Sequence, residues 1–229
     1  MKRKIFVSAL AVCLVAIMAC GSLAYFQHSA TVSNKFLTAS STDPTPQSKK
    51  DLFSVEVSEP DGKGGSTLTG NTYNNAVPGQ IFDKKPIVKN TGKKAQWIRI
   101  SVIFNNASKW LNADEKITAA TLFDEVVAKA KDSKYVASDW TRVNPTDVNA
   151  DDELVYTFYY KGGKNNGKLA KDDTAVLFEK VIIPSYLEVD DMFALKEFQI
   201  DVKADAIQAD NTGNTAEDTF KNCWADAEK

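Results

Sequence analysis

Apolar and polar residues alternate through most of this chain, and a period of two is compatible with little except half-buried β-strands. The pattern is longest at 96–104, where Trp97, Arg99 and Ser101 alternate with Ile98, Ile100 and Val102, and at 197–208, where Phe198, Ile200, Val202 and Ala204 share a face. It recurs at 52–57, with Phe53, Val55 and Val57 on one side, and at 81–89, 135–143, 153–161 and 174–183. Turn residues separate these runs. Asp61-Gly62-Lys63-Gly64-Gly65 opens a loop that reaches Pro78-Gly79, Asn90-Thr91-Gly92 joins two strands, and 161–167 joins two more. Pro86 lacks an amide proton and belongs at an edge or a strand start. About eight short strands with turn-rich connections predict an all-β fold, an antiparallel jelly-roll-like β-sandwich. Two helices interrupt it. One is expected over 114–131, inserted between strands, because Ile117, Ala120, Phe123 or Asp124, Val127 and Ala130 fall near helical spacing. A short C-terminal helix is expected after Thr215, with Glu217 and Asp218 in its first turn and Phe220, Cys223, Trp224 and Ala227 on one face. Asp190 and Asp191 read as a turn.

The N-terminus carries a different signal. Lys2, Arg3 and Lys4 precede an apolar run from Ile5 to Ala19, too short for a bilayer span of roughly twenty residues. Ser22-Leu23-Ala24 then places small residues where a signal peptidase reads, so 1–24 reads as a secretory signal peptide cut after Ala24. A rival reading takes Ile17-Met18-Ala19-Cys20-Gly21 as a lipoprotein box with Cys20 lipidated, which leaves Ser22-Leu23-Ala24 without a role. Cleavage after Ala24 lowers Lys+Arg from 28 to 25 against 30 Asp+Glu, so the mature charge is −5. That balance argues against nucleic acid as a partner, which needs a basic face. Cys13 and Cys20 leave with the signal, and Cys223 alone forms no internal disulfide, so the body must rely on core packing. Residues 25–37 then read as a lone strand with no neighbour in sequence, in which Phe26, Ala30, Val32 and Phe36 face one way and His28 and Asn34 interrupt. The Ser/Thr/Pro-rich stretch 38–50 reads as a tether, giving an arm and tether at 25–50 and a domain at 51–229.

Little chemistry is legible. The chain has one histidine, His28, beside the cleavage site, so neither a histidine-based nucleophilic site nor a two-histidine zinc site can be assembled. No phosphate loop or dinucleotide glycine pattern is present, no cofactor is implied, and no enzyme is expected. The best ligand cluster is a weak calcium candidate, Asp147, Asn149 and Asp151, with oxygen ligands at alternate positions. Asp152 stands where a calcium loop of the EF-hand kind has glycine, and a solvated acidic turn is the plainer reading.

The export region Gly21-Ser22-Leu23-Ala24-Tyr25-Phe26 resembles that of Gram-positive proteins processed by the signal peptidase SipW. Pro78-Gly79, the block Pro86-Ile87-Val88-Lys89-Asn90-Thr91-Gly92, Trp97-Ile98-Arg99-Ile100-Ser101-Val102, Tyr156-Thr157-Phe158-Tyr159-Tyr160-Lys161, Leu177-Phe178 and Val202-Lys203-Ala204-Asp205-Ala206-Ile207-Gln208-Ala209 follow in the same order as in the TasA/camelysin family, which the chain resembles over most of its length. The stretch 105–149 matches least. The resemblance implies a jelly roll, secretion to the extracellular matrix or cell surface, and fibres built by donating the N-terminal strand to the next subunit. The residues implied in that strand are Tyr25, Phe26, Ala30, Val32 and Phe36. Implied partners are further copies of the chain, the signal peptidase during export, and the cell wall or other matrix proteins. A monomeric surface binding module or adhesin, using loops at 62–77 and 162–171, is the alternative. Some camelysin relatives are described as metallopeptidases, a role for which this chain lacks the histidine pair.

Overall fold

The computed structural model describes residues 28–37, 54–74, 76–128, 135, 137–163, 165–195, 198–210 and 212–223. Its strands are β1 (His28–Leu37), β2 (Val55–Pro60), β3 (Ser66–Thr67), β4 (Tyr73–Asn74), β5 (Ile81–Asp83), β6 (Ile87–Asn90), β7 (Gln96–Asn105), β8 (Trp140–Val143), β9 (Glu153–Tyr160), β10 (Thr174–Val176), β11 (Lys180–Ile182) and β12 (Phe198–Gln208). Three short α-helices accompany them: α1 (Ala107–Ala113), α2 (Val189–Leu195) and α3 (Ala216–Cys223). The protein is all-β, and its strands pair antiparallel except for the two-residue contact of β1 with β4.

The larger sheet has the order β4-β1-β12-β7-β9-β8, and the smaller sheets are β10-β6-β2-β3 and β11-β5. One core lies between the layers. Val32, Val202, Val102 and Tyr156 occupy a single register row of the large sheet and are fully buried. Val55, Val57 and Val88 meet them from the second sheet, and Phe82 and Val181 from the third. Small residues face large ones across the β7–β12 ladder, where Ala204 pairs with Ile100 and Ala206 with Ile98. That match lets bulky neighbours pack without voids.

Several sequence expectations change on folding. The 81–89 run is two strands in different sheets. The chain leaves β5 at Lys84, whose amide donates to the Glu179 carbonyl (3.1 Å), and re-enters pairing after Pro86, which has no amide proton to give. The 174–183 run divides likewise into β10 and β11, because its partners are β6 and β5. The helix expected over 114–131 is not a continuous one. Of this stretch the described residues reach 128, with 129–131 outside them: residues 114–121 lie in turns and extended links, and Leu122 and Phe123 are helical ahead of a π-helical turn at Asp124–Ala128. Side chains compete with helical bonding here. Asp114 Oδ1 accepts from the Lys116 amide, and Thr118 and Thr121 each accept the other's amide through Oγ1. The segment still delivers Ile117, Leu122, Phe123, Val126 and Val127 to the core. Asp190 and Asp191 lie in the first turn of α2, not in a bare turn.

The C-terminal helix forms as expected, with Thr215 Oγ1 accepting from the Asp218 amide at 3.1 Å. It covers the outer face of the large sheet, where Trp97, Tyr159 and Ile207 pack with Ala216 and Phe220. Strand β7, expected to be half-buried, is therefore closed on both faces at this end. Arg99 lies over the Phe220 ring at 4.9 Å and makes a two-nitrogen contact with Asp205 Oδ2 at 2.7 and 3.0 Å, which satisfies a fully buried carboxylate.

Candidate functional site

Of the residues singled out at the N-terminus, Ala24, Tyr25 and Phe26 lie outside the described residues, as do the lipidation candidate Cys20 and the tether 38–50. From His28 onward the arm is strand β1, and it lies in the large sheet beside the chain's own β12. Their register runs from His28 opposite Ala206 to Phe36 opposite Phe198. Positions 28, 30, 32, 34 and 36 thus share a row parity with Ala206, Ala204, Val202, Ile200 and Phe198, all of which are buried. Val32 is itself fully buried, and Ala30 packs partly buried against the core. Positions 29, 31, 33 and 35 stand opposite Asp205, Lys203, Asp201 and Gln199. Val32 and Ala30 thus lie on the row that faces the core.

On its other edge, β1 pairs among the described residues only at Phe36 with Tyr73 and Leu37 with Asn74. Among the described residues, β1 pairs over nine positions with β12 and over two with β4. The floor of its slot is supplied by β2, over which β1 lies.

A charged pair is buried in that floor. Glu59, near the end of β2, and Lys84, just past β5, are fully inaccessible, with Nζ 2.9 Å from Oε1. Burial pushes the Lys84 ammonium down from its ordinary range, opposed by Glu59 and by the charge of Asp201. Tyr73, which packs on Phe82 with ring centroids 4.8 Å apart, is raised by burial and by the nearby Glu59 and Asp83 carboxylates. Its hydroxyl donates to the Asp83 carbonyl. Sequence reasoning missed this pair because Lys84 sits in the run Asp83-Lys84-Lys85, which reads as solvated surface.

Beside Tyr73 an open groove of about 620 Å³ runs between the 60–62 loop and β5. Its polar groups are committed locally. The Asp61 carboxylate accepts from the Lys63 and Gly65 amides, which hold its pKa below the usual value, and Asn71 Nδ2 donates to the Pro60 carbonyl. Lys85 pairs with Glu179 at 2.7 Å.

In the segment of the calcium candidate, Asn149 closes the turn. Asn149 Oδ1 accepts from the Asp151 and Glu153 amides, and Asn149 Nδ2 donates to Glu153 Oε2. Asp152 turns away to accept from the Ser108 amide in the first turn of α1, at 2.8 Å. Among the described residues no group of three or more histidine, cysteine, aspartate or glutamate side chains is arranged to hold a metal ion. No helix among them is long and apolar enough to cross a membrane.

A comparison with protein-family models finds no match for this chain, and a comparison with curated proteins finds none either.

Proposed function

We propose that the chain is the subunit of a secreted matrix or surface fibre, of the kind its TasA/camelysin resemblance implies, built on a jelly-roll body. In the assembled state the strand seen as β1 is donated by the neighbouring copy. One observation carries the reading: the N-terminal strand is seated by β12, the last strand in chain order among the described residues, which pair only two of its positions on the other side. A strand added there gains a ladder of main-chain hydrogen bonds and a pocketed Val32. The connection 38–53 spans at most about 50 Å when extended, which is ample to reach an adjacent copy. Donor and acceptor surfaces differ, so the contact propagates instead of closing.

Register supplies the test. Thr31 stands opposite Lys203 on the outer row, so Thr31→Cys with Lys203→Cys, in a Cys223→Ser background, places two thiols in bonding range. Oxidation under assembling conditions is expected to produce a ladder of covalently linked chains on a non-reducing gel. Intramolecular bonds alone, at every concentration and pH, would overturn the proposal.

A surface binding module is the second reading. Its support is the groove beside Tyr73, which draws Gly62, Asn71, Thr72 and Tyr73 from the loop singled out for that role.

A further inference from the structure

Asn166-Gly167 is the only Asn-Gly pair in the sequence, and it lies in the loop that follows β9. Both residues have left-handed backbone, with φ of 52° and 82°, and the Lys168 amide donates to the Asn165 carbonyl at 3.1 Å. Two successive positive φ values inside such a bond are the signature of a type I′ turn, for which Asn-Gly is a preferred sequence. The turn leads straight into Leu169. That residue exchanges both main-chain bonds with Gln96, the first residue of β7, at 2.9 and 3.0 Å. Its carbonyl also accepts from Asn90 Nδ2, at the end of β6, at 2.8 Å. One residue thus ties the loop to two sheets.

An asparagine carboxamide can be attacked by the main-chain nitrogen that follows it, and the surroundings decide where this happens. Asn90, Asn105 and Asn149 hold their carboxamides in hydrogen bonds. Asn166 is exposed, and neither its carboxamide nor the Gly167 amide bonds any group among the described residues. Gly167 has no Cβ to shield its nitrogen. The acidic counterpart, Asp61-Gly62, is locked: Asp61 Oδ1 accepts from the Lys63 and Gly65 amides at 2.8 Å each, and an ionised carboxylate offers no leaving group.

We infer that Asn166-Gly167 is a self-modification site of the folded chain, at which spontaneous deamidation yields aspartate or isoaspartate and the isoaspartate form releases the Gln96–Leu169 bridge. Hydroxide takes the Gly167 amide proton, and that nitrogen attacks Asn166 Cγ. The Cγ–Nδ2 bond breaks, and ammonia leaves with a proton drawn from water as a succinimide closes. Water then adds at one ring carbonyl, and the ring nitrogen regains its proton. Opening at Cγ gives aspartate on the original main chain. Opening at the main-chain carbonyl carbon gives isoaspartate, whose main chain runs through Cβ and Cγ and is one methylene longer. Either product gains a negative charge. The added length cannot be taken up at Gly167, because a methyl there would already stand 3.0 Å from Lys161 Cα and 3.3 Å from the Tyr160 carbonyl oxygen. It passes instead to Lys168 and Leu169. The site is independent of the fibre reading.

The test uses the chain from Tyr25 to its C-terminus, incubated folded and urea-unfolded at neutral and mildly alkaline pH. Peptide mapping by mass spectrometry locates the conversion, and an isoaspartyl O-methyltransferase counts the isoaspartate. The folded chain is expected to convert at Asn166, in proportion to hydroxide, while Asn90, Asn105 and Asn149 keep their amides; Asn166→Gln removes the signal. Amide hydrogen exchange at Gln96 and Leu169 is expected to run about tenfold faster in the isoaspartate fraction than in the native chain. Asn166→Asp, which carries the charge on an unlengthened main chain, keeps the native rate. A carboxamide at Asn166 that survives in the folded chain after the unfolded chain has converted overturns the site, and so does equal conversion at Asn90, Asn105 or Asn149. Isoaspartate at position 166 with native exchange at Gln96 and Leu169 overturns the release of the bridge, as does equal loss of protection in Asn166→Asp.

Discussion

Removing the ammonium of Lys84 leaves the Glu59 carboxylate in a place that water does not reach, since both side chains have zero exposure. Lys84→Met keeps the volume of the stem and deletes the charge. Breaking a buried pair in this way costs about 3–5 kcal/mol, because the surviving charge is desolvated without compensation. For a body of this size each kcal/mol lowers the melting midpoint by roughly 2–4 °C, so the expected loss is about 6–20 °C at pH 7. Glu59→Leu/Lys84→Met removes both charges and should recover at least half of the loss. Thermal and urea unfolding of the native chain, the single variant and the double variant at pH 7 measure both. A single variant as stable as the native chain refutes the burial argument. A double variant as unstable as the single refutes the attribution of the loss to a buried charge left without its counter-ion.

Three further outcomes are expected. Burial pushes the Tyr156 hydroxyl up to about 12, while it donates to the Ala119 carbonyl at 2.6 Å. Because the folded pKa is raised, this group's contribution is complete below about pH 10 and disappears as pH rises to about 12, about 2–3 kcal/mol in all; ultraviolet titration should show a set of late-ionising tyrosines that also includes Tyr73 and Tyr186, both raised by burial, with one fewer in Tyr156→Phe. Asn149→Ala removes the acceptor that organises the 149–153 turn and should cost about 1 kcal/mol in urea unfolding, whereas millimolar calcium should leave the unfolding midpoint of the native chain unchanged. Phe220→Ala strips the main anchor of α3 from Trp97, Tyr159 and Arg99, and should cost about 3 kcal/mol while making tryptophan fluorescence more accessible to acrylamide.

The long strands were legible because their alternation is uninterrupted: β7, β9 and β12 fall where the period of two is clearest. The all-β class follows from them. Sheet changes inside a run were not legible. Phe82 and Val88 fall in one strand run of the sequence, and only the partners β11 and β2 show that they belong to different sheets. Over 114–131 the apolar spacing suited a helix, but threonine and aspartate side chains took the local amides, and only a fragment of helix remains. The partner of β1 was beyond reach of any local pattern, since β12 is the last strand and β1 the first. Val32 is buried and Ala30 packs partly buried beside it, but no local signal pointed to the strand they pair with. Lys84 shows the limit most plainly. Composition and neighbours mark it as surface, and its burial is a property of three sheets meeting.

The most direct measurement compares two purified forms, one beginning at Tyr25 and one at Ser40, by electron microscopy and size-exclusion chromatography. The account predicts fibres from the longer form alone, with the shorter form remaining dispersed because its β1 slot has no strand to fill it. If neither form assembles in concentrated, acidic or calcium-containing buffer, or if the shorter form makes the same fibres, strand donation is contradicted and the surface-module reading takes its place.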